Sequence, residues 1–229
     1  MKNDVTATEC IREGWNIIKD DYLLFLGASI FGLFLLYLLP LLLQGPVYCG
    51  MFMLVFRKMR GKSLSFDSFF DGFNHFLQSL FVTLITVIPA LVLTVPVVVI
   101  AIVIVVSGAT LEDGGFEGAL VGSLGLLALF LAAGVLAAIS FQILMTFALP
   151  LVVEEGLGAI DACKRSARAV MDNLGLVVGL VALQSLLMIG GTLACLIGVV
   201  FVLPIIFAST AVAYRQIFGV NSTREGAII

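Results

Sequence analysis

The sequence predicts an all-α fold: a six-span transmembrane helix bundle built from three hairpins, each preceded by a cytosolic amphipathic interfacial helix. Three observations predict it. The mean hydropathy is +1.19 and only 12% of the 229 residues are charged, against about a quarter in soluble domains. A chain this short cannot hide so much apolar surface in a water-bounded core. Its apolar runs recur at the length, about 20 residues, that crosses a bilayer, and its twelve Lys and Arg gather in the connections on one side.

The first 21 residues contain Lys2, Asp4, Glu9, Arg12, Glu13, Lys19, Asp20 and Asp21. They lack the basic tip and short apolar core of a cleaved signal peptide, so the run from Tyr22 is expected to stay as a span. Tyr22 to Phe56 has the length of a tight hairpin, with Pro40 or the Gln44–Pro46 stretch "QGP" as places to turn or kink. Leu80 to Val106 reads as a third span, kinked near Pro89 and Pro96. A fourth begins near Leu120 and runs towards Leu149, ended by Pro150, Glu154 and Glu155. Leu174 to Phe218 is again a hairpin, with its turn expected at Gly190–Gly191. The whole is one integral membrane domain in units of about 6–61, 62–153 and 154–219, followed by a polar tail, 220–229.

The connections carry the remaining signal. With the N-terminus in the cytosol, every Lys and Arg falls on the cytosolic side, while Ser107 to Gly118 carries Glu112, Asp113 and Glu117 and no cation. This is the positive-inside bias, and it places both termini in the cytosol. "FRKMRGK", residues 56–62, holds four cations in seven residues and reads as a topological anchor, or more sharply as a headgroup site for anionic lipid. The candidate lipid-headgroup contacts are Arg57, Lys58, Arg60 and Lys62, with Lys164, Arg165 and Arg168.

Each cytosolic segment shows an apolar stripe at helical period, too short and polar to span. Ile11, Trp15, Ile18 and Tyr22 form the first, with Thr6 and Glu9 at capping-box spacing. Phe66, Phe69, Phe70, Phe73, Phe76 and Leu77 form the second, and Ile160, Cys163, Ala167, Val170 and Met171 the third. Trp15, Phe69, Phe70 and Phe73 are the expected interfacial anchors. The helices either brace the bundle or present a docking surface to a protein partner or to lipid.

Units one and three align. "ECIREGWNIIKD" sets Cys10 on Cys163 and Arg12 on Arg165, and "PVYCGMFMLVFRKMRG" on "PIIFASTAVAYRQIFG" sets Pro46 on Pro204, Phe56 on Tyr214, Arg57 on Arg215 and Gly61 on Gly219. Unit two opens with "DGFNHF", an echo of "EGWNII".

Little points to chemistry. No CxxC pair joins Cys10, Cys49, Cys163 and Cys195, which read as reduced packing residues. His75 is the single histidine, and no HExxH, GxSxG or GxxxxGK[ST] occurs. An enzyme would need Glu154, Glu155 and His75 to converge. A transporter would rely on span residues such as Gln44, Ser140, Gln142, Thr146, Gln184, Ser185, Thr192, Ser209 and Thr210, which more often bond helix to helix. No basic face is large enough for nucleic acid, and no cofactor or metal is expected. The leading expectation is a non-enzymatic scaffold, partner subunit or lipid-interacting module. The alternative is a transporter or channel for an uncharged or lipid-like substrate.

From "PLVVEEGLGAIDACKRSARAVMDN" through "CLIGVVFVLPIIFASTAVAYRQIFG" the sequence resembles a group of uncharacterised prokaryotic membrane proteins. That group is related to the membrane domain attached to some glycerophosphodiester phosphodiesterases. The resemblance rests on Pro150, Glu154–Glu155 with Gly156, Ala162, Ser166, Asn173, Gly198, Pro204 and Tyr214, and on the preceding "MRGKSLSFDSFFDGFNHF". It implies a prokaryotic plasma membrane and lipid-related work. The phosphodiesterase catalytic domain is absent, so that activity is not implied.

Overall fold

The computed structural model describes residues 6–108, 116–193 and 197–219. The tail 220–229, most of the acidic connection and Cys195 lie outside the described residues. Among the described residues every regular element is helical: α1 (Ala7–Ile18), α2 (Tyr22–Leu38), α3 (Pro40–Met59), α4 (Asp67–Phe70), α5 (Phe76–Gly108), α6 (Phe116–Leu144), α7 (Ala148–Glu155), α8 (Ala159–Asp172), α9 (Leu174–Leu193) and α10 (Ile197–Phe218). Five stretches are long and apolar enough to cross a membrane: Ala7–Leu38, Pro40–Met59, Ala128–Glu155, Leu174–Leu193 and Gly198–Phe218. The expected span Leu80–Val106 falls on the 33-residue α5.

The chain divides into two compact units, Met1–Thr83 with Ile143–Ile229, and Leu84–Gln142. The second holds most of α5 and α6, and Val95, Val98, Ile102, Leu129, Phe130 and Leu136 are exposed on them. The first holds everything else, and its largest fully buried side chains include Phe25, Leu54, Phe56, Phe69, Phe147, Leu151 and Tyr214.

Proline and glycine follow the sequence expectation at one place and depart from it at others. The chain turns between α2 and α3 at Leu39 (φ −142°, ψ 74°), ahead of Pro40 at the first position of α3, which is one of the two expected places. Gly45 and Pro46 are buried inside α3. Pro150 does not end the fourth span: it is the third residue of α7, which continues to Glu155, and its missing N–H costs nothing in a first turn. Gly190 and Gly191 lie within α9, where Gly191 lets the α10 backbone come close: an added Cβ would sit 3.0 Å from the Gly198 carbonyl oxygen.

The real break comes earlier, between α6 and α7. There Ser166 of α8 substitutes for helix bonds: its hydroxyl accepts from the Phe147 N–H (3.1 Å) and donates to the Leu144 carbonyl (2.7 Å). In hydrocarbon those backbone groups have no water to turn to.

The amphipathic segments form where the periodicity predicts, with rotated faces. The Thr6 N–H donates to Glu9 Oε2 at 2.9 Å, as the capping box requires. The buried stripe of α1 is Cys10, Gly14 and Ile18, and α1 packs along α10. In α8 it is Ala162, Cys163, Ser166 and Val170, with Ile160 and Met171 exposed. The aromatic segment breaks into α4 and a 3-10 turn, Asp71–His75, packed on α3.

Small residues explain the rotation, because backbones that touch need faces without side chains. A Cβ on Gly72 would lie 2.2 Å from the Gly50 nitrogen, and one on Gly14 would lie 2.7 Å from the Ser209 nitrogen. Ser166→Ala removes one bond from each of two buried backbone groups. It is expected to cost about 2 kcal/mol, read as a lower melting temperature in detergent, while Ser185→Ala, whose hydroxyl only returns to its own helix, leaves melting nearly unchanged.

Candidate functional site: a charged collar where three helices end

The inner helices α3, α7 and α10 finish side by side, each followed by a glycine in the left-handed region: Gly61 (φ 65°), Gly156 (φ 65°) and Gly219 (φ 54°). These glycines let the chain leave the helix while the last carbonyls stay bonded. The Lys62 N–H reaches the Arg57 carbonyl, the Gly156 N–H that of Val152 and the Gly219 N–H that of Arg215.

The three ends are tied pairwise. Arg60 at the end of α3 forms an ion pair with Glu154 of α7, whose side chain is only 5% exposed. The Tyr214 hydroxyl of α10 donates to Glu155 Oε1 of α7 at 3.3 Å. Arg215 of α10 returns to α3, with Nη1 3.5 Å from the Met59 carbonyl oxygen and its guanidinium 6.0 Å over the Phe56 ring. Beneath them Tyr214 packs on Phe56 and Phe147 at 5.6 and 6.4 Å between ring centroids.

An outer set of pairs surrounds this junction. Arg165 of α8 pairs with Glu155 and lies 5.4 Å over Phe218. Arg57 pairs with Asp71 at 2.7 Å and donates to Ser68, fastening the aromatic segment to α3. Lys58 pairs with Asp21 at the start of α2. The carboxylates at positions 154 and 155 therefore serve two different arginines.

Of the seven candidate headgroup cations, Arg57, Lys58, Arg60 and Arg165 have carboxylate partners within the chain, a pairing that no spacing in the sequence signals. Lys62, Lys164 and Arg168 are exposed. Trp15 is 41% exposed, edge-on to Tyr22 at 5.3 Å. Phe69 is fully buried, while Phe70 is 44% exposed. Both rings, with that of Phe66, pack on Phe31 of α2, and Phe73 packs on Phe69 and Phe70. Burial pushes the Cys163 thiol up from its ordinary pKa, which leaves little thiolate at neutral pH.

Deeper in the bundle, the Gln184 amide donates to Ser209 Oγ (2.9 Å), Thr210 Oγ1 (3.0 Å) and the Ile206 carbonyl (3.3 Å). Ser140, Ser185 and Thr192 each donate to a carbonyl four residues back. These polar groups are used between helices or along their own helix. Among the described residues no group of three His, Cys, Asp or Glu could hold a metal ion.

No family model, characterised protein or solved structure matches this chain.

The buried Glu154 makes the Arg60 pair the costly one to break, since an orphaned carboxylate there keeps its desolvation penalty. Arg60→Glu is expected to lose about 3 kcal/mol of stability. Exchanging both residues, Arg60→Glu with Glu154→Arg, should recover more than half of it in thermal melts.

Proposed function

We propose that the chain is a non-enzymatic, multi-pass membrane module of a prokaryotic plasma membrane, a lipid-interacting scaffold with its charged collar and both termini in the cytosol. One observation carries this reading: Arg57, Lys58, Arg60 and Arg165 have carboxylate partners, whereas Lys62, Lys164 and Arg168 form no ion pair among the described residues. The paired arginines and lysine knit the helix ends together. Lys62, Lys164 and Arg168 remain exposed, and on α8 two of them stand beside the exposed apolar side chains of Ile160 and Met171. Apolar side chains flanked by cations suit the boundary between acyl chains and anionic headgroups.

The resemblance to the membrane domain attached to some glycerophosphodiester phosphodiesterases is in keeping with lipid-related work. Gln184 bonds Ser209 and Thr210 across helices, and Ser140, Ser185 and Thr192 bond carbonyls of their own helices, which favours packing over passage of a solute.

Two measurements test the reading. In native mass spectrometry after gentle extraction, the parent should retain anionic phospholipid. The triple variant Lys62→Ala, Lys164→Ala, Arg168→Ala should retain several-fold less with unchanged melting. Equal retention overturns the lipid reading, and a stoichiometric co-purifying protein in its place would redirect it to a partner subunit. In a cysteine-free background, Lys62→Cys should react with an impermeant maleimide only after cells are opened. Reaction in intact cells would invert the orientation.

A further inference from the structure

The three amphipathic segments share one geometric rule. Each lies across an inner helix or, for α8, across the break that leads into one, and makes its contact about ten residues before the left-handed glycine that follows. Gly72 rests on Cys49 and Gly50, eleven residues before Gly61. Ser166 bonds Leu144 and Phe147, twelve and nine residues before Gly156. Gly14 rests on Ala208 and Ser209, ten residues before Gly219.

In the first two cases the crossing segment directly follows the helix it covers: Gly72 comes eleven residues after Gly61 and Ser166 ten after Gly156. For α10 no such segment follows among the described residues, and α1 takes the place instead. The local sequences agree, with Glu13-Gly14-Trp15-Asn16 matching Asp71-Gly72-Phe73-Asn74.

We propose that α1 is the clasp of a closed ring of three repeats, standing on α10 as the third repeat's crossing helix. The ring is continuous in space but cut in sequence between α10 and α1. The ends meet at the cut: Cys10 Sγ donates to Gln216 Oε1 at 3.3 Å, and Gln216 Nε2 donates to Glu13 Oε2 at 3.3 Å. Thr6 placed straight after Gly219 would put Gly14 nine residues on, close to the spacing of the other two repeats. Side-chain and backbone contacts alone, rather than chain continuity, hold α1 on α10. It is therefore the seam at which the ring can open, a strap built into the fold that goes beyond the lipid-binding reading.

Circular permutation tests this directly, because a closed ring has no privileged cut. Two full-length permutants join Ile229 to Met1, one opened between Leu157 and Gly158, the other between Gly61 and Lys62. At least one should insert, stay monodisperse and melt within about 5 °C of the parent, a shift worth about 2 kcal/mol or less. In the parent and in that permutant, Gln216→Cys should form a disulfide with Cys10 under mild oxidation. The proposal is overturned if neither permutant meets the melting criterion, or if the disulfide fails to form in the parent or in the folded permutant.

Discussion

A helix in hydrocarbon gains nothing by exchanging lipid for leucine, so what holds this protein together is backbone brought close to backbone. That constraint shapes the closest contacts in the larger unit. Gly14, Gly45, Gly50 and Gly72 lie where a single added carbon would collide with a neighbouring main chain. Where contact falls on a broken helix instead of an intact one, the small residue is a serine, because the site needs hydrogen bonds as well as room. Ser166 supplies both. Many described leucines, isoleucines and valines are exposed, among them Leu23, Leu38, Leu186 and Leu193 on α2 and α9 and Val98 and Leu136 in the second unit.

The same constraint separates what could be read from the sequence and what could not. Apolar runs and short amphipathic segments were legible because bilayer thickness and helical period leave strong marks. The turns were less so. Pro46 lies inside a helix, since neighbouring helices in a membrane can tolerate the missing bond, and Gly190–Gly191 serves packing instead of turning. The buried faces were rotated for a related reason. A hydrophobic stripe picks out Ile11 and Trp15 on α1, whereas the face that meets α10 is the one with Cys10 and Gly14.

At the collar, the sequence showed where the charge is but not what it touches. Arg57, Lys58, Arg60 and Arg165 look alike in a count of cations, yet Arg60 and Arg165 find their acids on another helix, far off in the chain or across the α7–α8 connection. Pairing of that kind depends on three helix ends meeting, which is a tertiary fact. The adjacent acids, Glu154 and Glu155, read in sequence as the end of an apolar run. In the fold they brace two directions at once, one towards α3 and one towards α8 and α10.

Trp15 is the chain's single tryptophan, and it rides on α1, partly uncovered and edge-on to Tyr22. The protein thus carries a native fluorophore on the helix that packs along α10. Its emission colour and its quenching by brominated acyl chains report the depth and docking of that segment without any label, in whatever bilayer the protein occupies.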